Sequence, residues 1–344
     1  DGIIPRFVIL LGGLVISIAY LLVYAHRVKQ HPSRSAVAKR LEEHKAFFLK
    51  RQAAEEHSDH LTGIQSVVLV LFALTFAVMI WGVSSQGWWM AQMGALFEVG
   101  DTAFGVVLQL VSFGLYVVVL GGLVKRLHGR GLWSMIGPLG DTITAFKAAG
   151  WAVGLVILAQ TVLPPAIDAS EFSVMRPLLG WLAWMPVVLV ALVIQTGAEE
   201  IYFRGYLQQQ LACLSDKRWI WMGLPSLLFG VGHYMNGFGP ADGVIYAIWA
   251  TLLGLACADL TARTGNIGAA VGLHTANNLF AFVLTGVEGW PSNGLALFLY
   301  PYEDPMIYDY GLDTLLAPWA IFELLLAALM VLVMWLAARI AIKR

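Results

Sequence analysis

Six polar side chains suited to acid–base chemistry occur in three short stretches of an otherwise apolar sequence. Two carboxylates and a guanidinium come first, an imidazole follows, and a second imidazole comes last together with an amide. They are Glu199, Glu200, Arg204, His233, His274 and Asn278. Peptide-bond hydrolysis requires a base that activates water and donors that stabilise the developing oxyanion. The residue types therefore suit a hydrolase site.

The spacing of these residues predicts how they share helix faces. Glu200 and Arg204 are four residues apart, so on a helix they can pair. Glu199 lies about 100° around the helix from Glu200, so the same guanidinium cannot easily serve both carboxylates. An unpaired carboxylate in a low dielectric suits a general acid or base. His274 and Asn278 are again four residues apart and can be directed at one point.

The composition is that of a polytopic membrane protein. Of 344 residues, 59% are hydrophobic and 12% are charged, and the mean hydropathy is +0.73. A soluble domain carries about 25% charged residues. Two cysteines, Cys213 and Cys257, exclude a disulfide framework and are interpreted as packing residues. No nucleic-acid partner is predicted. Ionisable groups at bilayer depth are costly, so a functional site is the first interpretation of the polar stretches.

Apolar runs of membrane-spanning length predict an all-α fold, a bundle of about nine transmembrane helices around an intramembrane polar cavity. The long fifth run contains Pro186 and is predicted to be kinked or divided there. The predicted spans are 7–24, 65–83, 103–123, 148–163, 178–211, 219–235, 243–262, 266–285 and 316–340.

The distribution of basic residues predicts the orientation. A basic loop at 26–62 follows the first span, and alternation of the later spans puts every basic cluster on the same side. The opposite loops, 84–102 and 286–314, contain no Lys or Arg. By the positive-inside rule the N-terminus is outside and the C-terminus cytoplasmic, in a membrane expected to be the bacterial inner membrane. We expect the cavity to open to the cytoplasm, with Gln208 and Gln209 at its mouth.

Simpler interpretations exist for each polar residue alone. An intramembrane histidine is often a hydrogen-bonded packing residue, a Glu–Arg pair near a boundary can be an interfacial clasp, and an asparagine often joins two helices. Counting along the helices, however, brings Glu199, His233 and His274 to overlapping depths. Their joint occurrence favours a site.

Order and spacing resemble a known family. "EEIYFR" at 199–204 fits an EExxxR motif, "FGVGH" at 229–233 fits FxxxH, and "HTANN" at 274–278 fits HxxxN. The sequence over about 178–285 is similar to the CPBP intramembrane proteases, which include CAAX prenyl endopeptidases and bacteriocin-processing enzymes of the Abi group. No motif position departs from the pattern.

The resemblance implies a role for each position and an endopeptidase acting on membrane-associated substrates. Glu199 would activate water with the help of His233, while His274 and Asn278 would stabilise the oxyanion. Glu200 and Arg204 would support the site. Catalysis without a required cofactor is the prediction. The alternative is zinc held by Glu199, His233 and His274, a carboxylate and two imidazoles of the kind that zinc accepts.

The predicted organisation has three parts. Residues 1–147 are N-terminal transmembrane helices of unknown role, 148–290 are a CPBP-like protease core, and 291–344 are an outer loop and a C-terminal helix. The predicted partners are a peptide or protein substrate at the membrane and the lipid bilayer. Two other functions remain open: a proton-coupled transporter, because buried Glu, His and Arg also form proton relays, and an accessory structural subunit of a larger membrane complex.

Overall fold

The computed structural model describes residues 102–162, 171–237, 239–290, 292–302 and 310–343. It is mostly helical (79%). The α-helices are α1 (Ala103–Ser112), α2 (Gly114–His128), α3 (Trp133–Ile136), α4 (Leu139–Val162), α5 (Leu178–Glu200), α6 (Gln209–Leu214), α7 (Leu224–Gly232), α8 (Pro240–Thr264), α9 (Gly268–Val283) and α10 (Pro318–Ala341). Two π-helices, Ile201–Gln208 and Trp219–Gly223, and two 3₁₀-helices, Tyr234–Asn236 and Leu312–Leu316, complete the helical part.

Each of the seven spans predicted within the described residues contains a helix. Five helical stretches there are long and apolar enough to cross a membrane: Ala103–Arg126, Leu139–Thr161, Leu178–Leu214, Pro240–Thr264 and Pro318–Ala341. The sixth and eighth predicted spans form shorter helices, Trp219–Gly232 and Gly268–Val283. The predicted spans 7–24 and 65–83 and the basic loop 26–62 lie outside the described residues. The domain boundaries at 147 and 290 stay predictions.

The longest stretch, Leu178–Leu214, changes its helix type in the middle. Pro186 lies inside α5, which continues past it to Glu200. The division expected at Pro186 is therefore absent. Instead, a π-helix of eight residues begins at Ile201, directly after the two glutamates, and α6 follows it. Single π-turns inside α-helices occur frequently at functional sites.

Helices α4, α8, α9 and α10 share one core in which small residues allow close approach. A Cβ atom added to Gly268 would lie 2.1 Å from the Thr142 carbonyl oxygen, and one added to Gly272 would lie 2.4 Å from that of Phe146. The backbones of α4 and α9 are therefore in direct contact. Small residues are common at helix crossings in membranes, because the helices associate there by close van der Waals packing and not by the hydrophobic effect.

A small three-stranded sheet lies at one end of the bundle, and the all-α prediction missed it. Strands β1 (Val174–Met175) and β2 (Thr285–Val287) flank β3 (Phe298–Tyr300), antiparallel and parallel to it respectively. Trp181 Nε1 donates to the carbonyl oxygens of Val283 and Leu295 at 3.1 and 3.0 Å. The Trp181 indole thereby joins the start of α5 to the end of α9, the two helices that bear most of the polar site.

Candidate active site

Glu200 and Arg204 form the predicted pair at the junction of α5 and the π-helix. Arg204 Nη1 donates to Glu200 Oε1 at 3.1 Å, and both side chains are fully buried. Arg204 Nη2 donates to the Gly254 carbonyl oxygen of α8 at 3.0 Å. The guanidinium also lies over the Phe229 ring, 4.7 Å from its centroid. One arginine thus ties α5 to α7 and α8.

His274 of α9 lies between the two adjacent glutamates. Its Nδ1 is 2.9 Å from Glu200 Oε1, and its Nε2 is 3.5 Å from Glu199 Oε2. Because Glu200 also accepts from Arg204, its ionised form is favoured, so His274 Nδ1 is the donor toward it. The second nitrogen of the ring is left facing Glu199. The expected isolation of Glu199 from other charged groups is therefore incomplete.

Glu199 has a carboxylate oxygen without a hydrogen bond. Within the part of the chain that the structure describes, its buried Oε2 atom has no hydrogen-bond partner, and the side chain is 16% exposed. Leaving a carboxylate oxygen unsatisfied costs about 1–3 kcal/mol or more, a cost that water or a substrate group can relieve. Among the described residues Glu200 Oε2 has no partner either, but the Glu200 side chain is fully buried, so Glu199 is the more accessible of the two carboxylates.

His233 occupies the C-cap of α7, beside the rest of the site. Its Nδ1 is 2.8 Å from the Phe229 carbonyl oxygen, which can only accept, so Nδ1 carries the proton and Nε2 is left with a lone pair in the neutral ring. The ring centroids of His233 and His274 lie 4.4 and 5.7 Å from the ring centroid of Phe229. The structure thus links the two imidazoles through an aromatic ring, with His233 half-buried.

Asn278, one turn beyond His274, is held through its side-chain amide. Its Nδ2 donates to Gln195 Oε1 at 3.0 Å, and its Oδ1 accepts from Asn277 Nδ2 at 3.1 Å. Gln195 lies one turn before Glu199 on α5 and is buried. Sequence reasoning missed Gln195, and it gave Phe229 no role beyond its place in the FxxxH motif. The spacing of Gln195 to Glu199 was the available signal, and nothing in the sequence identified Phe229 as a contact of both histidines.

The segment proposed as the mouth of the cavity is closely packed. Gln208 is only 5% exposed, and its Nε2 donates to the Ala258 carbonyl oxygen at 3.0 Å. Gln209 Oε1 accepts from Arg130 Nη2 at 2.7 Å. The expectation that Gln208 faces a wet opening is therefore wrong, because its amide is used to join the π-helix to α8.

The turn between α2 and α3 packs against the same π-helix. His128 Nε2 lies 3.1 Å from the Tyr206 hydroxyl, and the Tyr206 side chain is buried. A Cβ atom on Gly205 would lie 2.6 Å from the Met135 carbonyl oxygen, so the α3 backbone rests directly on the π-helix. Burial and the neighbouring Arg130 lower the pKa of His128 below its ordinary value.

The proposed zinc ligands do not form a metal-binding group. Among the residues that the structure describes, no three His, Cys, Asp or Glu side chains are arranged so that they could hold a metal ion. His274 Nδ1 lies against Glu200 and His233 Nδ1 against the Phe229 carbonyl oxygen, which leaves the Nε2 atom of each ring for other groups.

Comparison with known families identifies the region that holds this site. Residues 180–280 match the model of the type II CAAX prenyl endopeptidase Rce1-like family. This match supports a CPBP family membrane protease. The match spans α5 to α9 and includes all six motif residues, and it agrees closely with the range 178–285 expected from the sequence. The Rce1-like match and the apolar helices together support an integral membrane protein of a protease family.

A second family model matches the N-terminal part. Residues 1–117 match the C4-dicarboxylate anaerobic carrier family DcuC. Only 102–117 of that range are described by the structure. The sequence motifs gave no indication of this similarity.

Three curated proteins are similar over part of their length. The uncharacterized protein YyaK of Bacillus subtilis is 30% identical over 45% of this chain and 50% of its own length. An uncharacterized protein of Haemophilus influenzae is 31% identical over 33% of this chain and 21% of its own length. The "Putative basic amino acid antiporter YfcC" of Escherichia coli is 26% identical over 52% of this chain and 31% of its own length. The chain therefore spans half or less of these relatives. No solved structure matches.

Proposed function

We propose that the CPBP region is an intramembrane endopeptidase in which Glu199 activates the attacking water. The observation that supports this assignment is the unsatisfied Oε2 atom of Glu199, 3.5 Å from His274 Nε2, on a side chain that is 16% exposed, whereas Glu200 is fully buried against Arg204. A water molecule there would find an acceptor oxygen in a buried site. Transfer of a proton from that water to Glu199 gives the hydroxide that attacks the peptide carbonyl carbon.

The charges of the buried cluster support a shared proton in the resting state. Arg204 balances Glu200, which leaves Glu199 and His274 to be balanced by one further proton. In the ion-pair form of that arrangement, Glu199 is a carboxylate base and His274 is an imidazolium with an N–H at Nε2. Burying one net charge is costly, so the neutral arrangement is preferred. In the ion-pair form, the base at Glu199 and the oxyanion donor at His274 are prepared together.

The other polar groups complete the reaction. The Asn278 amide has a second N–H, beside the one given to Gln195, that can donate to the oxyanion. The lone pair of His233 Nε2 can take a proton from water or return it to the leaving amine. Glu200 fixes the orientation of the His274 ring by accepting from Nδ1, and Arg204 fixes Glu200.

The decisive experiment replaces Glu199 by Gln. The neutral amide keeps the shape and removes the base, so cleavage is expected to disappear while expression and melting temperature stay near the wild-type values. Purified protein is incubated with a membrane proteome, and new termini are identified by mass spectrometry. Termini that appear equally with the wild type and with Glu199→Gln would remove Glu199 from catalysis.

Cofactor dependence is tested on the same assay. We propose that no cofactor is required, with zinc as the alternative. Cleavage that survives exhaustive chelation supports the metal-free mechanism. Loss of cleavage that is restored by zinc would overturn it.

The proposed setting is the bacterial inner membrane, with the N-terminus outside, the C-terminus cytoplasmic and a membrane-associated peptide or protein as the substrate. Extended peptide backbone is not solvated by lipid, so it must reach Glu199 within protein-lined space. Association with a larger membrane complex is a further proposal, and a native mass measured in mild detergent tests it.

A transport function is the second candidate, and the carrier match at 1–117 favours it. If that segment transports substrates, uptake of a labelled C4-dicarboxylate into vesicles should depend on 1–117 and be unaffected by Glu199→Gln. Uptake that equals that of empty vesicles would dismiss the carrier function.

A further inference from the structure

Gln195 occupies a special position relative to the proposed catalytic groups. It lies four residues before Glu199 on α5, and its side chain is buried. Its Oε1 accepts a hydrogen bond from Asn278 Nδ2 across the contact between α5 and α9. No sequence motif includes it, and the roles assigned to the other six residues do not use it.

The two hydrogen bonds of Asn278 determine which end of its amide is available. Asn277 Nδ2 donates to Asn278 Oδ1, and Gln195 Oε1 accepts from Asn278 Nδ2. An amide rotated by half a turn would present a carbonyl oxygen, which repels an oxyanion, in place of an N–H, which stabilises it. The orientation of this amide is therefore a condition for its proposed role.

We propose that Gln195 is a positioning residue that holds the Asn278 amide with an N–H directed toward the reacting carbonyl. This inference rests on the proposed endopeptidase function. Gln195 also shares a helix with Glu199, so the same rigid element fixes the base and, through Gln195, the oxyanion donor. A shift of one relative to the other is thereby prevented, and misplacement by about 1 Å can reduce a rate about 100-fold.

A neighbouring residue pair provides a matched control. Thr196 follows Gln195 and joins the same two helices, with its Oγ1 atom 2.7 Å from Thr275 Oγ1. Thr196 is fully buried, and it contacts none of the six motif residues through that hydroxyl. Thr196→Val removes one hydrogen bond between α5 and α9 without changing what holds Asn278.

The test combines Gln195→Met, Asn278→Ala and the double variant. Methionine has nearly the shape of glutamine but no acceptor oxygen for the amide. We expect Gln195→Met to lower kcat about 10- to 100-fold with KM little changed, and to have little further effect when Asn278 is already Ala. Thr196→Val should lower the melting temperature while leaving kcat within about twofold, since loss of interhelical bonding alone does not move Asn278.

Additive effects of Gln195→Met and Asn278→Ala on kcat would overturn the inference, and so would equal losses of kcat in Gln195→Met and Thr196→Val. The wild type, the two single variants Gln195→Met and Asn278→Ala, and the double variant are also melted in detergent. This cycle measures the coupling free energy between Gln195 and Asn278 without a need for turnover. If wild-type protein shows no cleavage that depends on Glu199, the proposed function fails instead. Additivity in the melting cycle would then still show that Gln195 does not hold Asn278.

Discussion

At the scale of single residues, Arg204 joins the most groups. It donates to Glu200 and to the Gly254 carbonyl oxygen, and its guanidinium stacks on Phe229. Arg204→Ala leaves Glu200 buried with only His274 as a charged partner. Removing one member of a buried pair costs about 3–5 kcal/mol. We expect a much lower melting temperature in detergent, with loss of activity as a consequence.

A second pair with the same spacing serves as the control for this prediction. Arg263 Nε donates to Asp259 Oδ2 at 2.6 Å on α8, and both side chains are partly exposed. Arg263→Ala should lower the melting temperature less than Arg204→Ala does, because Asp259 is partly exposed and keeps its hydrogen bond from Trp335 Nε1. If Arg204→Ala melts at the same temperature as Arg263→Ala, then Arg204 does not stabilise the fold and must act in chemistry or substrate binding.

At the scale of elements, the contact between α4 and α9 depends on glycine. Gly272→Ala would force a methyl group against the Phe146 carbonyl oxygen, while Gly154→Ala on α4 meets nothing within 4 Å. Overpacking costs about 1–3 kcal/mol, whereas Ala in an open helical position gains up to about 1 kcal/mol. The melting temperature should therefore fall for Gly272→Ala and rise slightly for Gly154→Ala. A Gly272→Ala protein as stable as the wild type would mean that these helices can separate freely.

The docking of the α2–α3 turn on the π-helix should depend on pH. Burial and Arg130 lower the pKa of His128 in the folded protein, so the unfolded chain binds the proton more strongly. The stabilising contribution is complete above the ordinary histidine pKa of about 6.5 and is lost as the pH falls below it. Melting temperatures measured between pH 8 and pH 5 should fall less in His128→Gln than in the wild type. If the melting temperatures of the two proteins fall in parallel with pH, His128 is not the source of the pH dependence.

Sequence reasoning succeeded at this scale wherever a feature depends on spacing along one helix. The Glu200–Arg204 pair follows from such spacing, and the helices follow from the length of the apolar runs. Features that depend on how two helices rotate about each other were missed or incomplete: the position of His274 between both glutamates, and the bond between Gln195 and Asn278. The strands of the sheet, two or three residues each, are too short to show an alternating pattern.

At the scale of the whole molecule, the basic residues are predicted to mark the helix ends that face the cytoplasm. Lys217 lies at the end shared with the α2–α3 turn, and Tyr302 lies near the sheet at the other end, and both are exposed. In a chain with Cys213 and Cys257 replaced by Ser, a membrane-impermeant thiol reagent should label Lys217→Cys only from the cytoplasmic face. Tyr302→Cys should react only from the outer face. The reverse pattern would invert the proposed orientation.

The π-helix at Ile201–Gln208 has a consequence for how this chain can change in evolution. A π-turn holds one residue more than an α-turn, so it is what remains when a residue is inserted and the contacts on both sides are kept. Here Glu200 is held by His274 on one side, and Gln208 by Ala258 on the other. Deleting one residue between them would turn one of these contacts about 100° away from its partner. The length of this segment is thus constrained by the contacts at both of its ends.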